Sequence, residues 1–122
     1  MYVYFNNNPW KRSVNDCVIR AISLAENKSW DKVYDELSIL AKDEAILLDD
    51  ITFVDNYLDK KYKRICYKCK GERITIKEFI KENRRGTYLI TMQGHITCVI
   101  NGILFDTWNC SNKRIWSVWR VL

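Results

Sequence analysis

His95-Ile-Thr-Cys-Val-Ile-Asn-Gly-Ile-Leu-Phe-Asp-Thr-Trp108 is the stretch on which the fold turns. Two alternating apolar runs flank Asn101-Gly102. That dipeptide suits a type I′ turn, whose two central residues both need positive φ. A two-residue loop sets the register. Ile100 falls opposite Ile103, Val99 opposite Leu104, Cys98 opposite Phe105, Thr97 opposite Asp106 and His95 opposite Trp108. Side chains alternate along a strand, so His95, Thr97, Val99, Leu104, Asp106 and Trp108 share one face. His95 and Asp106 are diagonal neighbours there, close enough for a carboxylate to accept a hydrogen bond from an imidazole nitrogen. His95 is the only histidine in the chain, so any imidazole chemistry belongs to it.

Further strands are expected on either side, at Gly86–Met92 and Ile115–Leu122. Lys63–Cys69 reads as an edge strand, with lysines suited to exposure. Thr75 is placed to cap a short helix running to Asn83. The first half of the chain is helical in pattern. Asn15 or Asp16 can cap a helix from Cys17 to Ala25, in which Val18, Ala21, Ile22 and Ala25 form one stripe. Asn27 or Ser29 opens a second helix, Trp30 to Lys42, with Val33, Leu37 and Leu40 or Ala41 inward. A third, Ile51 to Lys60, gathers Phe53, Val54, Tyr57 and Leu58. Residues before Asp16, including Pro9, read as a loop. Helices first and strands later give an α+β fold, with N-terminal helices packed on a C-terminal antiparallel sheet. The length of 122 residues suits a single domain spanning 1–122.

Composition narrows the setting. Hydrophobic residues are 48% and charged residues 29%, a globular mixture. No apolar run approaches the ~20 residues of a membrane span, and the start lacks a signal peptide's apolar core. A cytoplasmic protein is therefore expected. There the five cysteines stay reduced. The net charge of +5 is uneven: residues 60–85 carry eleven Lys or Arg against three Glu. That basic region suits an acidic host protein or nucleic acid, although no zinc finger, RNP pattern or KH loop accompanies it.

Cys17 is the thiol placed for chemistry. The first turn of a helix lowers a thiol pKa through unpaired amides and the macrodipole, favouring the nucleophilic thiolate. The Cys17 backbone N–H is also available to a developing oxyanion. Cys98 alternates away from the His95 face and belongs to the core. Cys110 sits in the loop after Trp108, where exposure is expected. Cys66 and Cys69 have C-x-x-C spacing inside a strand, where the two point to opposite faces. No second close-spaced ligand pair completes a zinc site, so neither metal nor cofactor is expected.

The segments Asn15-Asp16-Cys17-Val18-Ile19-Arg20-Ala21-Ile22, Gly94-His95 and Asp106-Thr107-Trp108 resemble the papain-like cysteine peptidase superfamily. The likeness is greatest to small phage and bacterial domains similar to the bacteriocin-processing peptidases, and it spans roughly residues 13–110. It implies a cysteine hydrolase acting on peptide or isopeptide bonds of a protein or peptide substrate. In it Cys17 is the nucleophile, His95 the general base and acid, Asp106 the residue orienting His95, and Trp108 a wall shielding the His–Asp bond. Papain-like enzymes often place a glutamine about six residues before the cysteine to hold the oxyanion. Lys11 stands there in this chain, so Asn15, or an asparagine of Asn6–Asn8 folded back, is the expected stand-in. The rival expectation is a catalytically degenerate papain-like domain that binds its partner through the basic 60–85 region.

Overall fold

The computed structural model describes residues 1–65, 68, 69 and 72–122. The predicted hairpin is present. Strand β6 (His95–Ile100) pairs antiparallel with β7 (Ile103–Asp106) in the expected register, Ile100 opposite Ile103 and Cys98 opposite Phe105. Asn101 and Gly102 have φ of 48° and 79°, as a type I′ turn requires. Around it stand β5 (Thr87–Met92), paired with β6, and β8 (Ser117–Arg120), paired with β5.

Three helices lie between residues 17 and 61: α1 (Cys17–Glu26), α2 (Trp30–Asp43) and α3 (Ile51–Lys61). Asn27 closes α1 in the left-handed conformation, and the Ser29 hydroxyl opens α2 by accepting from the Lys32 N–H. α2 buries Val33, Leu37 and Ala41, leaving Leu40 exposed. α4 (Ile76–Glu82) begins at a capping box in which Thr75 and Glu78 satisfy each other's backbone amides.

The sheet is mixed, not purely antiparallel. Where the sequence predicts loop, a strand β1 (Tyr2–Tyr4) runs parallel to β7 with Tyr2 opposite Leu104. Its three residues are half-buried or exposed, so the segment shows little of the apolar pattern that marks a strand. The predicted Lys63–Cys69 strand is also two elements. β2 (Arg64–Ile65) pairs with β8, whereas β3 (Lys68–Cys69) pairs with β4 (Glu72–Arg73) in a separate hairpin. Cys66 and the Cys69 side chain lie outside the described residues.

The six strands order as β1-β7-β6-β5-β8-β2. Both faces are covered. Leu89, Ile96, Cys98 and Trp119 pack with α1, α2 and α3, while Tyr88, Ile90, Val99, Leu104 and Val118 pack with α4 and Ile115. All six β5 residues are buried, as a strand covered on both sides demands. The protein is α+β, its described residues forming four helices and a mixed six-stranded sheet beside the β3–β4 hairpin. No helix among the described residues is long and apolar enough to cross a membrane.

Candidate active site

α1 begins where β6 begins, and this brings residue 17 to residue 95. Cys17, His95 and Ile96 line one cavity, where the imidazole and the Ile96 N–H act on the thiol. The other side of the ring is committed. His95 Nε2 lies 2.6 Å from Asp106 Oδ2, the pairing that the hairpin register predicts. Nδ1 is thus left to exchange a proton with Cys17. The Trp108 ring stands 5.0 Å from the His95 ring, centre to centre, and is 41% exposed, so it covers one side of the imidazole.

Asp106 is held from three directions. Its backbone carbonyl accepts from the Phe5 N–H at 2.9 Å and the Tyr2 hydroxyl at 3.1 Å, so β1 locks the end of β7. Its Oδ1 accepts from the Thr107 N–H at 2.7 Å and from Arg20 Nη1 at 3.1 Å. Arg20 also donates through Nε to Asp16 Oδ1 at 2.7 Å, and Asp16 Oδ2 accepts from Trp30 Nε1 and Asn8 Nδ2. A buried network therefore runs from α2 through Asp16, Arg20 and Asp106 to His95. Sequence reasoning missed Arg20. The only available sign was its i, i+4 spacing from Asp16, which is commonplace on helices.

Asp16 occupies the N-cap position of α1, yet its side chain makes no cap hydrogen bond. Both carboxylate oxygens are taken by Arg20, Asn8 and Trp30. This corrects the expected capping role. It leaves the first amides of α1 without a side-chain acceptor, directly at the nucleophile. The Asn6–Asn8 run is not free to hold an oxyanion. Asn6 and Asn8 fold the loop on itself, with Asn8 N donating to Asn6 Oδ1 and Asn8 Oδ1 accepting from Trp10 N, each at 3.0 Å. Asn7 donates to the Arg20 carbonyl and the Ser23 hydroxyl. Asn15 is exposed, and with Cys17, His95 and Asp49 it lines a cavity of about 260 Å³ whose floor is Val18, Val54 and other apolar groups.

The charges follow from this packing. Burial pushes the Cys17 thiol up, but the hydrogen bonds from His95 and Ile96 and the nearby Arg20 charge outweigh it, and the thiol pKa falls. Burial pulls His95 down, but Asp106, Cys110 and Cys17 each favour its charged form and raise its pKa well above the ordinary imidazole value. Asp106 stays ionised because the hydrogen bond to His95 overcomes its burial. Both shifts favour a thiolate–imidazolium pair over the neutral thiol and imidazole. Cys98, by contrast, is buried in the core and its thiol is pushed up to about 12.

Cys110 corrects another expectation. It is 1% exposed, and its Sγ lies 3.8 Å from Asp106 Oδ2. Ligand-type atoms of His95, Asp106 and Cys110 fall within 4.8 Å of one another, the grouping among the described residues nearest to a metal site. They fit an ion poorly. The 2.6 Å spacing of Nε2 and Oδ2 is shorter than the ~3.3 Å between two ligands each ~2 Å from a tetrahedral ion. The same carboxylate also carries the Arg20 cation.

Comparison with protein-family models, curated proteins and solved structures gives no match to this chain.

Proposed function

We propose that the protein is a cysteine-dependent hydrolase of the papain-like kind, cleaving a peptide or isopeptide bond. The observation that carries this reading is the 2.6 Å bond from His95 Nε2 to Asp106 Oδ2 beside Cys17 in the same cavity, which leaves Nδ1 for the thiol. The order of the three residues, on a helix start and two adjacent strands, is that of the papain-like superfamily.

The chemistry then runs in two halves. The Cys17 sulfur bonds to the substrate carbonyl carbon, and the C=O π electrons move to oxygen. The uncapped Cys17 N–H and the Asn15 amide are the donors suited to that oxyanion. Collapse breaks the C–N bond as the imidazolium passes its Nδ1 proton to the departing amine. A thioester remains. Water then attacks the thioester while His95 takes its proton, and the thiolate is released with the carboxylic acid. Asp106 keeps the ring in the required tautomer and offsets the imidazolium charge.

The test is the rate of Cys17 alkylation by iodoacetamide against pH, mapped by mass spectrometry. The thiolate pair predicts reaction well below pH ~8, and His95→Ala should move it up towards an ordinary thiol. Alkylation at the ordinary rate, indifferent to His95→Ala, would overturn the reading. Cleavage of a proteome-derived peptide library by the wild type and not by Cys17→Ala identifies the substrate class.

A further inference from the structure

The basic region has a definite centre. Several of its cations are already used. Lys61 pairs with Glu26, Arg64 with Asp59 and Asp55, and Arg73 stacks over Trp116. Lys77, Lys81 and Arg84 are different. All three are exposed, none is in an ion pair among the described residues, and all three line one groove of about 660 Å³. No carboxylate lines that groove; its other polar walls are Asn101, Asn109, Ser111 and Asn112.

The walls are tied in place before any ligand arrives. On one side the 109–113 loop is bonded to the first turn of α4, through Lys77 N to the Ser111 carbonyl at 2.9 Å and Ile76 N to the Lys113 carbonyl at 3.1 Å. On the other, the Asn101–Gly102 turn is joined to Gly86 by two hydrogen bonds of 2.9 Å. A groove that needs no ordering loses less free energy on binding.

We infer that this groove, framed by α4, the β6–β7 turn and the 109–113 loop, binds an extended acidic peptide segment whose carboxylates fall on alternate residues. Lys77 and Lys81 stand one helical turn apart, about 6 Å along the axis. Same-face side chains of an extended peptide repeat at roughly 6.6 Å, which matches. Asn112 offers an amide that both donates and accepts, and Asn101 and Asn109, whose Oδ1 atoms accept from Gly86 N and Ser111 N, offer their NH2 groups as donors to a peptide backbone. A nucleic acid strand fits less well. Tyr2 is the one aromatic side chain lining the groove, and its hydroxyl is tied to Asp106, so no platform for stacked bases is offered. The inference stands apart from catalysis, and its test is made on protein that cannot turn over.

Full-length Cys17→Ala protein is titrated into a fluorescein-labelled peptide of alternating glutamate and serine, read by anisotropy. The groove predicts saturable binding that weakens as salt rises from about 0.05 to 0.2 M. Lys77→Glu/Lys81→Glu/Arg84→Glu should weaken it at least ~10-fold, about 1.4 kcal/mol. A charge-matched control, Lys32→Glu/Lys42→Glu/Lys60→Glu, should change it less than about 2-fold. Lys77→Gln/Lys81→Gln, a milder change, should move affinity in the same direction as the triple reversal. No saturable binding, equal loss in the control, or tighter binding of a single-stranded oligonucleotide that the triple reversal abolishes would each overturn the inference.

Discussion

Arg20 divides its guanidinium between Asp16 and Asp106, and Asp106 is the partner of His95. Removing the cation strands two buried carboxylates. Arg20→Met is therefore expected to cost about 3–5 kcal/mol, the usual range for breaking a buried pair, measured by urea unfolding. Arg20→Lys keeps the charge but loses the fork that reaches both acids, so it should recover only part of the loss. Asp106→Asn isolates the electronic role. With the imidazolium less favoured, the Cys17 thiolate loses its counter-ion. The alkylation midpoint should then move to higher pH, and turnover should fall at least ~10²-fold. At this scale the His95–Asp106 pairing was legible, because a turn dipeptide and a period of two place the one against the other. It did not show what surrounds them. The neighbours of Asp106 come from Tyr2, Phe5 and Arg20, far away along the chain, and no local pattern encodes such meetings. Asn6–Asn8 illustrate the same limit: three amides look free in sequence and are spent on the loop in space.

Turns and caps make testable statements about elements. Gly86, Gly94 and Gly102 all have positive φ, so alanine at any of them pays ~1–2 kcal/mol in backbone strain. They differ in room. A Cβ on Gly86 would stand 2.8 Å from the Leu122 carbonyl oxygen, whereas at Gly94 nothing lies within 4 Å. Gly86→Ala should therefore be the most destabilising of the three by thermal unfolding, and Gly94→Ala should show the backbone cost alone. Thr75→Ala removes half of the α4 capping box and should cost about 1 kcal/mol in the same measurement. Helices α1 to α4 were legible because their apolar residues repeat at helical spacing and Ser29 and Thr75 stand as caps, each accepting a backbone amide; Asp50 caps α3 in the same way, a role the sequence reading did not give it. The short strands were not. Two- and three-residue strands hold too few alternations to distinguish from loop, and their existence is decided by what lies beside them.

Across the molecule, stability against pH rests on carboxylates that folding keeps ionised. Glu26 ends α1 against α3, meeting Lys61, Tyr62 and Lys28, and despite burial its pKa is lowered, the Lys61 and Tyr62 hydrogen bonds being decisive. Asp106 is lowered too. A depressed carboxylate contributes stability above its unfolded value near 4 and loses it as pH falls through the folded value. Urea midpoints are therefore expected to be flat from neutral to about pH 5 and to drop below it. Glu26→Gln should lower the neutral plateau and shrink that drop. The α+β class could be read from the order of patterns along the chain. The second helical layer, α4 on the far face of the sheet, could not, because a run of buried residues such as β5 looks the same whichever helix covers it. The pairing of β1 with β7 also sets a timetable. Tyr2 finds Leu104 across most of the chain, and His95 and Asp106 belong to the same late stretch. Contacts of such separation close slowly. During synthesis residue 17 is made well before residues 95 and 106. On the proposed mechanism Cys17 has neither base nor orienting acid until both have been made, so the thiol of a growing chain stays ordinary through that interval.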